Sequence, residues 1–421
     1  MVAAWPSNRH SHLNMSAPAR APDLKSVLIS TGLILTIAMG VRHGFGFWLQ
    51  PLSQEYGWSR EPFSNAMALQ NLMWGLFGPF AGMAVQRYGT RAVVMAGAVL
   101  YAAGILWMAL VSHPLWFALG SGVLLGAALS GTTFAAVNGL IGKVAGESQR
   151  SWAFGISSAA GSFGQFVMMP VEQALIVSIG WRNAFFALAA LLLLVILPLA
   201  NRLREPASEH GFGPQQSIRQ ATTEAFRHRP FLLLLSGYFV CGFQVVFIGV
   251  HLPAYLQDKG VADPQVAVIA LALIGLFNIF GSYYSGKLGT HLPKRYLLSA
   301  IYSGRSLVIV LFLLAPLSSL SVYLFAAALG LLWLSTVPLT NGIIATIFGV
   351  RYLSMLSGFV FFSHQLGSFL GVWLGGYLYT RQGNYDMVWM ITIALGIFAT
   401  LVNLPIDEKP IKRHSIASVP V

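Results

Sequence analysis

Two arginines and one glutamate lie inside long apolar stretches of this 421-residue chain, where charged side chains are costly and often functional. Arg42 lies about sixteen residues into an apolar run, and Arg305 lies ten residues beyond Arg295. A guanidinium can hold a carboxylate through two parallel hydrogen bonds. Arg42, with Arg305 as a second cation, therefore predicts a site for an organic anion. A carboxyl group inside an apolar helix can take up and release a proton, so Glu172 is a candidate for proton coupling.

Each of these three residues also has a structural alternative. Arg42 could be held by carbonyl groups at a helix end or by Glu172. Glu172 could reach water at the membrane interface or pair with Arg182. A structural role for Arg305 is equally open.

Three histidines, His43, His251 and His364, also fall inside apolar runs. Histidine titrates near physiological pH, so any of them could relay a proton. A histidine that is hydrogen-bonded within the packing is the alternative at each position.

Aromatic and amide side chains in the same runs could line a binding site. Trp48, Tyr283, Asn138 and Asn341 are further substrate-binding candidates. Ordinary packing is the alternative for the rings, and hydrogen bonding between helices is the alternative for the amides. The two asparagines stand in similar motifs, Asn-Gly-Leu-Ile and Asn-Gly-Ile-Ile, which favours a shared architectural role.

The composition indicates that lipid is the solvent for most of the chain. Hydrophobic residues make up 56% and charged residues only 9%, against about 25% charged residues in soluble domains. The net charge of +12 does not indicate nucleic acid, because the basic residues stand in short segments between apolar runs. The single cysteine, Cys241, excludes a disulfide within the chain. The expected partner is the lipid bilayer, with no nucleic acid.

Twelve apolar runs are long enough to cross about 30 Å of hydrocarbon as helices. Continuous runs of this length exclude a membrane β-barrel, whose strands alternate over about ten residues. The sequence predicts an all-α membrane protein with twelve transmembrane helices, at 26–52, 64–86, 92–111, 115–141, 152–178, 183–201, 231–256, 265–286, 296–316, 319–348, 353–379 and 386–405.

The basic residues alternate between the two sides of the predicted membrane. Nineteen of the 25 lysines and arginines lie on the side of the N-terminus, four lie on the other side and two lie inside helices. Both ends are therefore expected in the cytoplasm, with the protein in the cell (inner) membrane. The predicted organisation is a disordered cytoplasmic tail at 1–25, a six-helix bundle at 26–201, a cytoplasmic linker at 202–230, a second six-helix bundle at 231–405 and a cytoplasmic tail at 406–421.

An internal repeat relates the two predicted bundles. Over 75–90 and 275–290, six of sixteen positions are identical, and Arg87 is matched by Lys287. In each copy an apolar helix runs into a basic turn that contains glycine. Two halves in the same orientation predict a pseudo-two-fold axis along the membrane normal.

The turn from Gly82 to Arg91 resembles the signature loop between helices 2 and 3 of the major facilitator superfamily. Gly180-Trp-Arg182 and the glycine-rich fifth run resemble the monocarboxylate-porter branch and its oxalate/formate-type carriers. The resemblance implies alternating access, in which two bundles rock about a central site lined by helices 1, 4, 7 and 10. It also implies gating roles in the two turns, for Arg87, Gly89, Arg91, Lys287 and Gly289.

Two departures from the family pattern affect these expectations. Gln86 and Gly286 stand where an acid is usual, which predicts a weak inner latch. The branch often carries an arginine on helix 8, and this chain has none between 265 and 286.

We therefore expect a secondary active transporter of a small organic anion, a monocarboxylate, with coupling to protons. It is expected to be a monomer without cofactor or metal, and not an enzyme, because it lacks metal-binding signatures and a soluble catalytic domain. An exporter of a drug-like or metabolite compound on the same fold is the first alternative. A membrane ligand sensor that does not transport is the second.

Overall fold

The structure is a computed structural model that describes residues 22–58, 60–206, 216–261 and 263–411. The regular secondary structure of these ranges is helical, and eleven segments in them are long and apolar enough to span a membrane. The longest, Arg60–Leu110, is kinked at Gly89, where φ is 80° and ψ is 158°, and so consists of two arms. The predicted twelve spans are thereby confirmed.

The spans follow the predicted runs, with several starts fixed by local capping. Asp23 and Asp263 accept the amides of Ser26 at 3.2 Å and Gln265 at 2.9 Å, which sets the first turns of two helices. The spans are α1 at Leu24–Tyr56, α2 at 60–88, α3 at 90–110, α4 at Pro114–Val144, α5 at Arg150–Ile179, α6 at Trp181–Asn201, α7 at Arg229–Asp258, α8 at Pro264–Leu288, α9 at Lys294–Leu314, α10 at Ser319–Phe348, α11 at Leu353–Gln382 and α12 at Asp386–Asn403.

The two halves pack in the same way. In the first half α1 lies against α5, and in the second half α7 lies against α11. The α2–α3 pair packs on α4 and α6, as α8 packs on α10 and α9 packs on α12. We call the surface that holds Gly89, where α1 begins and α12 ends, the hinge face.

The two bundles meet closely in the half of the molecule near the hinge face. There α2 packs on α11, and α5 packs on α8 and α10. A Cβ atom built on Gly78 would lie 3.3 Å from the Gly358 carbonyl oxygen, and one on Gly155 would lie 2.9 Å from the Ser282 carbonyl oxygen. Glycine at these positions lets the helix backbones of the two bundles approach each other.

Three spans are interrupted near their middles. α1 passes through a 3₁₀ turn at Gly44–Trp48, and α4 breaks at Thr133, where the backbone is extended. α10 is not helical at 333–335. Backbone groups that lose their helical hydrogen bonds inside a membrane need other partners. Side chains near these breaks are therefore expected to bind them.

The linker predicted at 202–230 contains a helix that the sequence analysis missed. This linker helix, Ile218–Arg227, begins with a capping box at Ser217. Its Phe226 packs against Phe359 of α11, with ring centroids 5.2 Å apart. The linker helix is therefore seated on the second bundle.

The predicted tails fall largely outside the described residues, which begin at 22 and end at 411, as do linker residues 207–215. The described part of the C-terminal segment is packed: Ile406 is buried, and the Ile411 amide donates to the Ile347 carbonyl at 3.0 Å.

Candidate functional site

Arg42 is a half-buried cation in the middle of the first bundle. It lies just before the 3₁₀ turn of α1, its Nη2 donates to Oδ1 of Asn71 in α2, and its Cζ lies 5.0 Å from the ring centroid of Trp74. Its Nε is buried without a hydrogen-bond partner, and no carboxylate of the described ranges forms an ion pair with it. The guanidinium thus keeps hydrogen-bonding capacity and positive charge for an anion.

His43 is oriented by the helix that carries it. Its Nδ1 lies 2.7 Å from the Met39 carbonyl oxygen, which can only accept, so Nδ1 carries the proton. Nε2 is then the acceptor, 3.4 Å from Nη1 of Arg42. The structure therefore brings together two of the predicted residues, Arg42 and His43.

Trp74 connects Arg42 to the second bundle through a row of rings. Its indole Nε1 donates to Oγ1 of Thr133, at the break in α4, at 3.1 Å. Its ring lies 4.7 Å from Phe361 of α11, which stacks on His364 at 5.6 Å. His364 in turn lies 5.1 Å from the Tyr238 ring of α7. We call Trp74, Phe361, His364 and Tyr238 the ring row.

A pocket opens beside the ring row, between the two bundles. Phe361 and Tyr238 line it together with Phe134, from the break in α4, and Asn341 of α10. The structure thus places α4, α7, α10 and α11 around this pocket, which has a volume of about 20 Å³ and which we call the central pocket. The sequence analysis named Asn341 and His364 there but missed Trp74, Phe361 and Tyr238, because aromatic residues in apolar helices carry no distinguishing local signal.

Glu172 is completely buried against the 3₁₀ turn of α1. A Cβ atom built on Gly44 would lie 1.1 Å from its Oε2, so only glycine leaves room for the carboxyl group. Neither carboxylate oxygen has a hydrogen-bond partner within the described ranges. Its alternative pairing with Arg182 does not form, because Arg182 Nη2 pairs with Glu55 Oε1 at 2.7 Å.

Arg305 is almost fully buried, with 1% of its surface exposed, and is held by backbone at the break in α10. Its Nε and Nη2 donate to the Leu332 carbonyl oxygen at 3.0 and 2.7 Å, and Nη2 also donates to that of Trp333. Its Nη1 lies 3.4 Å from Oε1 of Gln244. A binding role for Arg305 stays a prediction, and these contacts favour the structural alternative.

Asn138 and Asn341 occupy equivalent positions in the two halves. Asn138 Oδ1 accepts from Oγ of Ser157 at 3.0 Å, and Asn341 Oδ1 accepts from Oγ of Ser357 at 2.6 Å. Each bond joins the fourth helix of a half to the fifth. The contacts match the architectural alternative, although Asn341 also lines the central pocket.

The remaining candidates make other contacts. Trp48 is buried and stacks on Phe185 at 4.8 Å, and Tyr283 lies on α8 where it passes Gly155. His251 ties α7 to α11, with Nε2 3.1 Å from the Val372 carbonyl oxygen. The functional roles assigned to these three residues stay predictions.

The turn at Gly89 is closed by an acid that the sequence analysis did not assign. Glu205, just beyond α6, accepts the amide of Thr90 at 3.0 Å and its hydroxyl at 2.7 Å, and pairs with Lys143 Nζ at 2.7 Å. Burial favours the neutral acid, but the bonds from Lys143 and Thr90 outweigh it, so the pKa of Glu205 lies below its ordinary value. The turn therefore has a carboxylate bound to it, although Gln86 stands where the resemblance would place an acid.

The other turn residues have different surroundings. Arg87 and Arg91 are exposed at the hinge face, and no ion pair involves them in the described ranges. Lys287 is exposed too, whereas Gly289 is buried, and a Cβ atom on it would lie 3.1 Å from Oγ of Ser151 in α5. Gating by the five turn residues remains a prediction.

Comparison with known proteins agrees with this architecture. The family model described as the Major Facilitator Superfamily matches residues 31–372. The chain belongs to the Major Facilitator Superfamily. Within the superfamily, its solved neighbours include FucP in the outward conformation, with a TM-score of 0.70 at 14% identity over 90% of this chain and 98% of that chain.

Relatives within the superfamily confirm the predicted branch. The uncharacterized MFS-type transporter YcxA of Bacillus subtilis (strain 168) is 24% identical over 94% of this chain and 99% of its own length. Monocarboxylate transporter 13 of Rattus norvegicus is 29% identical over 78% and 77%. The oxalate:formate antiporter of Oxalobacter formigenes is 23% identical over 92% and 93%. The chain is therefore a multi-pass membrane transporter.

Proposed function

We propose that this protein is a proton-coupled secondary transporter of a small monocarboxylate, working by alternating access in the cell membrane. The single observation that carries the proposal is Arg42. It is a cation at mid-membrane, beside the central ring row, with an unused buried Nε and no carboxylate to neutralise it within the described residues. A cation kept in lipid at this cost needs an anionic partner, and a transported carboxylate supplies it.

The surroundings of Arg42 favour one carboxylate and an apolar body. Arg305 is engaged by backbone carbonyl oxygens, so it leaves Arg42 as the charge available to the substrate. The pocket next to the ring row, to which Arg42 is connected through Trp74, is walled by Phe134, Phe361 and Tyr238. Monocarboxylate transporter 13 and the oxalate:formate antiporter, by their names, handle carboxylates, which agrees with this assignment.

Proton coupling is assigned to Glu172 and His43. Glu172 is buried without a hydrogen-bond donor among the described residues, so a negative charge there has no local compensation. His43 lies between the Arg42 guanidinium and the Met39 carbonyl. In our proposal Glu172 binds the proton that accompanies the anion at Arg42, so that the loaded carrier moves without added charge.

The proposal places the hinge face in the cytoplasm. That face carries the exposed basic residues of the turns, among them Arg87, Arg91 and Lys287, as the positive-inside rule expects. The bundles are closed on this side by the contacts of Gly78 with Gly358 and of Gly155 with Ser282. We take the outside of the cell as the side from which substrate enters in this conformation, and the monomer as the transporting unit.

Uptake by proteoliposomes tests the function directly. Purified protein is assayed with labelled lactate, pyruvate, formate and oxalate, with and without an inward proton gradient. We expect uptake of monocarboxylates that rises with the gradient, and little uptake of the dianion oxalate. Arg42→Gln should abolish uptake, while the control Arg381→Gln, which removes an exposed arginine over the Tyr377 ring, should not. Normal uptake by Arg42→Gln would refute the assignment.

The variant Glu172→Gln distinguishes a role in proton coupling from a role in substrate binding. The variant should still exchange labelled monocarboxylate across the membrane but should lose acceleration by the proton gradient. Glu147→Gln, at an exposed site on the hinge face, is the matched control and should behave like the wild type. Full gradient dependence in Glu172→Gln would assign the proton to another group.

Export of an apolar or drug-like compound is the second candidate, and the ring row is the observation that favours it. Four rings in contact beside one cation also suit a larger aromatic molecule. Absence of carboxylate uptake, together with sensitivity of cells lacking the protein to an aromatic toxicant, would establish export instead.

A further inference from the structure

The break in α10 is held from two sides by residues that belong to different helices. On one side Arg305 of α9 binds the carbonyl oxygens of Leu332 and Trp333. On the other side Oδ1 of Asn278, from α8, accepts the amide of Leu334 at 2.9 Å. Two carbonyl groups and one amide at the break are thus hydrogen-bonded, as a membrane interior requires.

Asn278 also reaches across to the first bundle. Its Nδ2 donates to Oγ of Ser162 in α5 at 2.8 Å. Both side chains are buried, with 0% and 1% of their surfaces exposed. One amide group therefore binds the broken backbone of α10 through its oxygen and the opposite bundle through its nitrogen.

The Asn278–Ser162 bond lies at the point along α5 and α8 where the two bundles begin to make close contact. From Ser162 towards the hinge face, α5 and α8 approach each other through Gly155 and Gly286, where a Cβ atom on Gly155 would lie 3.0 Å from Gly286 Cα. Separation of the bundles that extends from the hinge face as far as Ser162 would stretch or break the Asn278–Ser162 bond.

The break is also connected to the central pocket. The helical segment that follows it, Thr336–Phe348, contributes Val337, Thr340 and Asn341 to the pocket lining. A molecule bound in the pocket would contact the helical segment that directly follows the residues held by Asn278 and Arg305.

The first half links its helix break to the opposite bundle through a different residue. Asn278 is matched in the repeat by Gly78, which packs directly on Gly358. The break in α4 is held by the side chain of Thr133, which accepts from Trp74 and donates to the Leu129 carbonyl at 2.6 Å. The α4 break is thus linked to α11 by the Trp74 ring, which contacts Phe361, whereas the α10 break is linked to α5 by hydrogen bonds of the single Asn278 amide group.

We propose that Asn278 is a positioning residue that couples the shape of the α10 break to the closed contact between the bundles, with Arg305 as the fixed anchor of the break. Occupation of the pocket then alters the hinge-face contact through α10, Asn278 and Ser162. Coupling between two sites is reciprocal, so loosening either end must loosen the other. This inference rests on alternating access, not on the identity of the substrate.

Hydrogen–deuterium exchange of the full chain in lipid nanodiscs tests the coupling without any substrate. Ser162→Ala removes the bond to Asn278, and no hydrogen bond of Ser162 in the described ranges reaches α10. We expect exchange at 331–337 to rise about fivefold, the effect of losing one buried hydrogen bond. Ser368 is the repeat-equivalent serine, and its side-chain hydrogen bonds within the described ranges go to His364 of the same helix. Ser368→Ala should therefore leave 331–337 unchanged.

Arg305→Lys tests the reverse direction. The lysine keeps the charge but cannot hold two carbonyl groups as the guanidinium fork does. Exchange should rise at 331–337 and also at 150–158 of α5, which contains no residue in contact with Arg305. A folded Ser162→Ala protein with unchanged exchange at 331–337, or an Arg305→Lys protein that loosens the break alone, would overturn the proposal.

Discussion

The Glu205 carboxylate lies 2.7 Å from Nζ of Lys143 and joins the segment beyond α6 to the end of α4. Its other oxygen accepts the first amide of α3 at Thr90, immediately after the left-handed turn at Gly89. In the second half Glu408, beyond α12, accepts the Arg295 amide at 2.8 Å and lies 3.6 Å from Nζ of Lys294. Each half therefore ends in a carboxylate that caps its own third helix.

Loss of the first of these carboxylates should destabilise the protein. Glu205→Ala leaves the Thr90 amide and the partly buried Lys143 without their partner, at an expected cost of about 1–3 kcal/mol. Thermal unfolding in detergent measures the change. Glu147→Ala, an exposed acid in the adjoining loop with no ion pair in the described structure, should leave the melting temperature nearly unchanged. Equal melting temperatures for the two variants would contradict the capping role.

Low pH should remove the stabilisation that the Glu205 carboxylate provides. The folded pKa of Glu205 lies below its unfolded value, so its stabilisation is complete above the unfolded pKa and is lost as pH falls through the folded pKa. The difference in melting temperature between wild type and Glu205→Gln should therefore be constant around neutral pH and shrink below about pH 4. A difference that persists unchanged at pH 3 would show that charge is not involved.

The second carboxylate offers a comparison between neighbours. Glu408→Ala removes the cap on Arg295, whereas Asp407→Ala removes an exposed acid that pairs with exposed Lys409 at 3.7 Å. We expect Glu408→Ala to lower the melting temperature and Asp407→Ala to have little effect, because exposed ion pairs contribute little. The reverse order would show that the repeat does not extend to this contact.

Gly44 should be intolerant of a side chain because of Glu172. Gly44→Ala places a methyl group 1.1 Å from the present position of Glu172 Oε2, so the carboxyl group must move, at a cost of about 1–3 kcal/mol. The cost should fall in a background of Glu172→Ala, and a double-mutant cycle of unfolding measures the coupling. Gly46→Ala, where an added Cβ meets no atom within 4 Å, is the control. Additive effects of the two substitutions would mean that they do not meet.

The glycine contact between the bundles should set which side is closed. A Cβ atom on Gly358 would lie 2.6 Å from the Gly78 carbonyl oxygen, and backbone cannot move aside as a side chain can. Gly358→Ala should therefore open the hinge face and speed hydrogen exchange in 78–88 severalfold. Gly376→Ala on the same helix, with open space around the Cβ, should not. Unchanged exchange in Gly358→Ala would show that the bundles close elsewhere.

The fold could be predicted because its determinants are local features of the sequence. Run length, basic residues between runs and the 75–90 repeat gave twelve helices in two related bundles. The kink at Gly89 was anticipated because both copies of the repeat carry glycine there. The break at Thr133 was not, because glycine and small polar residues recur throughout the run 115–141 and no proline marks the position.

The site was only partly predictable because depth along a helix does not fix direction around it. Arg42 and Arg305 both lie deep inside apolar runs of the sequence. Arg42 nevertheless lies against the Trp74 ring of the ring row, whereas Arg305 binds backbone carbonyl groups. Glu205 could not be assigned because its partner Thr90 is 115 residues away and no local pattern links them.

The two capping carboxylates also bear on how such a protein could arise. Glu205 and Glu408 each belong to the last residues of their own half. Each half therefore caps its third helix with a carboxylate of its own. A six-helix ancestor with such a carboxylate would already have capped the start of its own third helix. It would have needed only a second copy of itself to form the interface, and joining two copies through a linker would then have freed Asn278 to specialise in one of them.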